Sequence, residues 1–152
     1  MPRSANRNGM IVESLIARCL ELCELPYESQ HPLNVVDSLN SKIRVDFFVR
    51  QAEGYPNGFI IESKWQDTSG SCDKKVAALC DNIKKYYGQP TIVVADGRGL
   101  TRARKSLRSQ TEGNFEAILS FGEFISFCMS LCNGKGKRSI QKHFSPEQMK
   151  MF

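Results

Sequence analysis

Apolar side chains recur along the chain with two different spacings, and each change of spacing marks a boundary between predicted elements. In residues 10–25 they recur every three or four positions, which predicts a helix with one buried face, and Pro26 ends the pattern. Residues 27–42 follow no clear period and are interpreted as a strand or an irregular connection. The chain therefore begins with an amphipathic helix and a segment whose structure the pattern leaves open.

The next two apolar segments are typical of β-strands. Residues 43–49 and 59–65 are rich in β-branched and aromatic side chains, and turn formers fill residues 51–58 between them. Together these segments predict a β-hairpin. Its strands carry Asp46, Glu62 and Lys64 at positions where a purely structural hairpin more often has Thr or Val.

The second half of the chain alternates helices and strands. We expect a helix from residue 71 or 73 to about 87, an interior strand at 90–95, a basic helix at 101–110, a short strand at 115–119 and a last helix to about 131. Ser120 and Glu123 form a capping-box pattern at the start of that last helix. This order predicts an α/β fold, a three-layer α/β/α sandwich around a mixed central sheet.

Length and composition indicate one domain. A chain of 152 residues with 41% hydrophobic residues is long enough for one packed core and short for two. We expect a flexible basic arm at residues 1–9, the folded domain at 10–132 and a basic tail at 133–152. The chain shows no leader-like apolar run and no stretch of membrane-spanning length, so we expect a soluble, cytoplasmic (intracellular) protein without membrane association.

The six cysteines are interpreted as thiols. Cys19 and Cys23 lie one helical turn apart, as do Cys128 and Cys132. With the two histidines these pairs could in principle hold zinc, but structural zinc sites favour closer cysteine pairs in turns. Because no leader is evident and a core of this size is stable without disulfides, we expect the cysteines to be buried as small apolar side chains.

Basic residues outnumber acidic ones and concentrate in three places. The formal net charge is +5, and the excess lies in the N-terminal arm, in residues 98–108 and in residues 135–142. Residues 98–108 contain no acid and place Leu100, Ala103 and Leu107 on one apolar stripe, which leaves most of the cations on other faces. Such segments fit the phosphates of duplex DNA. The predicted contacts are Arg98, Arg102, Lys105, Arg108, Lys135, Lys137 and Arg138.

The charged residues of the hairpin have the chemistry that phosphodiester hydrolysis requires, namely a cation on the phosphate, an activated water and help for the leaving oxygen. Glu62 and Lys64 are two positions apart on a strand, so both side chains leave the same face. Asp46, on the partner strand, can reach the same point as a second carboxylate ligand for Mg²⁺. Glu13 shares a face of the first helix with Ile16 and other apolar residues, so this acid points to the buried side.

With these residues in this order, residues 10–96 resemble the PD-(D/E)XK nuclease superfamily, the restriction-endonuclease-like fold of restriction enzymes, Holliday-junction resolvases and some small homing endonucleases. The resemblance implies that Asp46 and Glu62 are the metal ligands and that Lys64 is the catalytic lysine. It also implies that Glu13 is the helical acid that several branches add, and that Gln66 contacts a metal-bound water or the phosphate. The implied cofactor is Mg²⁺, with Mn²⁺ as a substitute.

The sequence departs from the family pattern at one position. The first acid of the family often follows a proline, whereas Val45 precedes Asp46. Asp37 is the alternative first acid, but it lies in a segment without a strand pattern, and we prefer Asp46. Asp67 and Asp73 are interpreted as a loop acid and a helix cap.

The function expected from these residues is Mg²⁺-dependent cleavage of duplex DNA at a defined sequence, of restriction or homing type. The alternatives are a structure-specific nuclease, such as a Holliday-junction resolvase or repair nuclease, and a non-catalytic DNA-binding domain on the same fold. Cutting both strands with one site per chain requires at least a homodimer. The apolar last helix either supplies that interface or only covers the sheet.

Overall fold

The structure is a computed structural model that describes residues 3–67 and 72–132. Its helices are α1 (Arg3–Leu22), α2 (Cys72–Tyr86), α3 (Thr101–Leu107) and α4 (Phe121–Leu131), and its strands are β1 (Tyr27–Val36), β2 (Lys42–Val49), β3 (Phe59–Trp65), β4 (Thr91–Asp96) and β5 (Phe115–Leu119). Short 3₁₀ turns flank α3 on both sides. None of the helices in these ranges has the length and apolar character needed to cross a membrane.

The five strands form one mixed sheet in the order β1-β2-β3-β4-β5. The pairs β1/β2 and β2/β3 are antiparallel, whereas β3/β4 and β4/β5 are parallel. Helices α1 and α4 pack on one face, and α2 and α3 pack on the other. Every residue of β4 is buried because helices cover both faces of this strand. The predicted three-layer α/β/α sandwich is therefore confirmed.

Helix α1 differs from the prediction at both ends. It begins at Arg3, before the predicted start at residue 10, so the backbone of the expected arm is helical from that residue on. It ends at Leu22, and Glu24, two residues later, adopts a positive φ of 56°. The N–H of Leu25 then donates to the Leu20 carbonyl across 3.0 Å, which closes the helix in a Schellman motif. The sequence analysis placed the end of this helix three residues later, at residue 25.

The segment that the pattern left open forms β1 and a turn. Strand β1 lies at the edge of the sheet, and its register with β2 shifts between Pro32 and Val36. In the turn that follows, the Asp37 carboxylate accepts hydrogen bonds from the N–H groups of Leu39 and Ser41, at 2.9 and 3.0 Å. Asp37 is thus a residue of the turn that connects β1 to β2.

The prediction that the cysteines are thiols is wrong for one pair. Cys23 and Cys132 form a disulfide that joins the end of α1 to the end of α4. Sequence spacing suggested pairs within each helix, whereas the bond forms between two helices whose ends meet in space. Cys19, Cys80 and Cys128 are free and buried, as expected. Burial raises the pKa of the Cys19 thiol to about 12, which keeps it protonated and inert.

Asp96 fastens the end of β4 to the helices on both faces of the sheet. One carboxylate oxygen accepts the N–H of Phe121, the first residue of α4, and the other accepts the N–H of Gly97, both at 2.7 Å. From α3, Arg104 lies 3.7 Å from the same carboxylate and donates to the Ala95 carbonyl at 2.8 Å. The sequence analysis ended the strand at residue 95 and gave Asp96 no role.

Replacing Asp96 with Ala should lower the free energy of unfolding by about 3–5 kcal/mol, because it leaves Arg104 without its buried partner and the first N–H of α4 without an acceptor. Urea denaturation measures the change. Asp81→Ala, which removes an exposed acid from α2, is the matched control and should change stability by less than about 0.5 kcal/mol. Equal stability of the two variants would contradict this role for Asp96.

Candidate active site

The two acids of the hairpin lie where its strands separate. The ladder between β2 and β3 pairs Val49 with Phe59, Phe48 with Ile60 and Phe47 with Ile61. Beyond it, Glu62 Oε1 accepts the N–H of Asp46, and Asp46 Oδ2 accepts the N–H of Ser63, both at 2.8 Å. Each carboxylate therefore occupies the place of a ladder carbonyl, and we call this arrangement the carboxylate fork. It holds two negative groups side by side at the point where the sheet opens.

Glu62 is the buried member of the fork, with only 7% of its surface exposed. Burial is the main cause that raises its pKa to about 7, and the charge of Asp46 adds to the effect. The Asp46 N–H, the Lys64 ammonium and the Tyr87 hydroxyl act in the opposite direction. Glu62 therefore keeps its proton to a higher pH than an exposed glutamate does, and a metal ion that binds there must displace that proton.

Lys64 lies two residues after Glu62, near the end of β3, and its side chain is exposed. The positive charge lowers the pKa of both Glu62 and Glu13, so its ammonium lies within electrostatic reach of both acids. This placement agrees with the expectation that Glu62 and Lys64 share one face of the strand. Phe47 and Trp65 pack in the core on the α1/α4 side, as expected for residues on the opposite face.

Helix α1 brings Glu13 to the fork. Its neighbours Val12 and Ile16 are buried against the sheet, and Glu13 itself is half-buried. Burial raises the pKa of Glu13, and the charge and a hydrogen bond of Asp46 raise it further, whereas Lys64 lowers it. The structure therefore brings Glu13, Asp46, Glu62 and Lys64 together from three elements of the fold.

The donor set of the fork fits a small divalent cation. Mg²⁺ in proteins is commonly held by one or two carboxylates, with waters and substrate phosphate completing its six ligands. Asp46 and Glu62 supply two carboxylates whose mutual repulsion a cation would relieve. Within residues 3–67 and 72–132, no three His, Cys, Asp or Glu residues converge as a complete protein-only metal cage.

Gln66 follows the site along the chain and is fixed through its backbone. Its N–H donates to the Asp96 carbonyl at 3.1 Å, and its own carbonyl accepts the N–H of Gly99 at 2.8 Å. Gly97 has a φ of 98°, and a Cβ there would lie 2.2 Å from the Gln66 carbonyl oxygen. Only glycine therefore allows this close approach between the end of β3 and the start of the basic segment.

The predicted apolar stripe of the basic segment is buried, since Leu100, Ala103 and Leu107 face the core. The cations that the stripe leaves outside are exposed, and they are Arg98, Arg102, Lys105 and Arg108. Arg108 forms an ion pair with Glu123 at the start of α4. The other predicted contacts, Lys135, Lys137 and Arg138, lie outside the described residues.

Two polar residues at the fork escaped the sequence analysis. Tyr87, to which the sequence analysis gave no role at the site, donates its hydroxyl to Glu62 Oε2 across 3.4 Å. Ser63 donates both its N–H and its hydroxyl to Asp46 Oδ2, at 2.8 and 3.2 Å. A Tyr at a position that packs like Phe is a usable signal, because a buried hydroxyl needs a partner. Ser63 gives a weaker signal, since a serine in a strand has many explanations.

Comparison with known protein families gives one match. The sequence model of the PD-(D/E)XK nuclease superfamily domain matches residues 4–126, which include every residue of the site described above. Comparisons with curated proteins and with solved structures gave no match. The matched range covers most of the chain, and the mixed sheet with helices on both faces agrees with it. The chain therefore belongs to the PD-(D/E)XK nuclease superfamily.

Proposed function

We propose that this nuclease-superfamily protein is a Mg²⁺-dependent endonuclease that hydrolyses phosphodiester bonds in duplex DNA at defined sites, with Mn²⁺ as an alternative cofactor. The observation that supports this most is the carboxylate fork, in which Asp46 and Glu62 accept each other's strand N–H groups beside Lys64. Two buried or half-buried acids kept adjacent destabilise the metal-free fold. Such an arrangement is explained by a cation that the fork is built to hold.

Each residue of the site has a distinct part in the proposed reaction. When bound, Mg²⁺ would supply a Lewis acid for the phosphate and would lower the pKa of water at the site. Asp46 and Glu62 would hold the cation, and the N–H groups of β2 and β3 fix the orientation of both carboxylates. Lys64 donates to the attacking water or the phosphate and offsets the negative charge of the transition state. Glu13, beside Asp46, accepts a hydrogen bond from water at the site.

The assembly that cuts both strands is proposed to be a homodimer. Helix α4 offers little for its interface, because Phe121, Phe124 and Cys128 are buried in the core of their own chain. The exposed apolar residues in the described ranges include Met10 and Ile11 on α1, which are 67% and 50% exposed. Of the two alternatives for α4, its burial therefore favours the one in which it only covers the sheet.

Asp46→Asn and Glu62→Gln should each reduce Mg²⁺-dependent cleavage of plasmid DNA by at least about a hundredfold, because the neutral side chains no longer hold the cation. Lys64→Ala should cause a similar loss while cation binding persists. Gel assays of plasmid and phage DNA measure cleavage, and calorimetry with Ca²⁺ measures cation binding. Ca²⁺ should support DNA binding without cutting.

Exposed residues supply the controls for these variants. Lys42→Ala and Glu112→Gln make the same changes outside the fork and should cleave at the wild-type rate. Wild-type cleavage by Glu62→Gln would show that the site is wrongly assigned. An active enzyme that needs no divalent cation would contradict the proposed chemistry.

Replacing Arg102 and Lys105 together with Ala should weaken binding to every duplex sequence. If both cations contact phosphate, the slope of log affinity against log salt should become shallower by roughly two. Arg50→Ala with Lys85→Ala makes the same charge change at the opposite end of the sheet, and this control should keep the wild-type slope. Unchanged affinity and slope in the first variant would place α3 away from the DNA.

A further inference from the structure

A cleft opens between α2 and α3 on the face of the sheet opposite α1. Its volume is about 430 Å³, within the range typical of small-molecule sites. The lining residues come from the first turns of α2 and from α3 with the 3₁₀ turn after it, and they are Asp73, Lys74, Ala77, Arg102, Ala103, Ser106, Leu107 and Gln110. None of them belongs to the carboxylate fork.

The cleft has an apolar floor and a charged rim. Ala77, Ala103 and Leu107 form the floor, and the last two are almost fully buried. Lys74 and Arg102 are exposed at the rim, and each presents a full positive charge. An apolar floor beside two cations matches a ligand that combines an apolar ring face with a phosphate.

Asp73 adds an unsatisfied acceptor to this surface. Its Oδ1 is shielded from water and accepts no hydrogen bond from the residues that the structure describes, so none of them is capped through that atom. A buried acceptor without a donor is costly, and a ligand N–H would relieve that cost. Every DNA base carries N–H groups on its Watson–Crick edge, but in a duplex those groups are already paired.

The charged end of the cleft and the fork both lie towards the carboxyl ends of the central strands. Strands β3 and β4 run parallel, with Lys64 opposite Ala95, so their carboxyl ends lie side by side. Helices α2 and α3 are the next helices after those strands, and Lys74 and Arg102 lie in their first turns. Ligands of such sheets bind at the carboxyl ends of the strands.

We propose that the α2–α3 cleft binds one unpaired nucleotide of the DNA substrate, with its base on the apolar floor and its phosphate between Lys74 and Arg102. The proposal rests on the nuclease function proposed above and specifies its substrate. DNA that carries an overhang, a flap or a junction with unpaired bases fills the cleft, whereas an intact duplex does not. On this proposal, the defined sites are positions in duplex DNA that lie next to an unpaired nucleotide.

The test compares the affinity of the protein for three fluorescent probes with Ca²⁺ in place of Mg²⁺, so that binding is measured without cutting. The probes are a blunt duplex, the same duplex with a single-stranded extension on either end, and the extension alone. The wild-type chain should bind the extended duplex about tenfold more tightly than the blunt one, because the extension adds a base on the apolar floor and a phosphate beside two cations.

Two variants should remove that preference while leaving affinity for the blunt duplex within about a factor of two. Ser106→Trp fills the cleft from an exposed position, and Lys74→Ala removes the phosphate contact. The matched controls are Ser109→Trp and Lys75→Ala, which alter neighbouring exposed residues that do not line the cleft. Both controls should keep the preference.

A wild-type chain without a preference for the extended duplex would overturn the proposal. Retention of the preference in Ser106→Trp and Lys74→Ala would overturn it as well, as would an equal loss in the controls. Failure of the nuclease function has a separate signature, namely no Mg²⁺-dependent cleavage of any probe by the wild-type chain. A preference that depends on the cleft would then still support nucleotide binding there.

Discussion

The arrangement of the site depends on two hydrogen bonds that replace the backbone ladder where β2 and β3 separate. Asp46 and Glu62 each accept an N–H from the opposite strand, so the strands stay joined through their carboxylates. This exchange satisfies the backbone donors and at the same time fixes two acids next to each other. The remaining elements support it, since α1 adds Glu13, the residue after α2 adds the Tyr87 hydroxyl and β3 continues to Lys64.

The same arrangement has an electrostatic cost. Because burial and Asp46 raise the pKa of Glu62 from 4.5 to about 7, the folded chain retains a proton that the unfolded chain releases. The contribution of this group to stability is therefore full below pH 4.5 and is lost as pH rises towards 7 in the absence of a cation. A bound divalent cation would offset that loss of stability, because its positive charge outweighs the repulsion between the two carboxylates. The fork thus links folding, proton release and metal binding at one residue pair.

Sequence patterns were sufficient for features that depend on neighbouring residues, and insufficient for those that depend on distant ones. The strands β2 and β3, the buried run of β4 and the Ser120–Glu123 capping box were all predicted and are present. The disulfide between Cys23 and Cys132 was missed, because it joins residues 109 positions apart. The anchoring of α4 by Asp96 and the contact of Tyr87 with Glu62 were missed for the same reason.

The position of a bound metal ion is the most direct test of the claim that the fork is a metal site. Anomalous diffraction from crystals soaked in Mn²⁺ would locate the ion against the protein. We expect one principal anomalous peak within direct bonding distance of carboxylate oxygens from both Asp46 and Glu62, and its loss in crystals of Glu62→Gln. A Mn²⁺ ion bound elsewhere, with the two carboxylates still hydrogen-bonded to β2 and β3 and free of metal, would contradict the account.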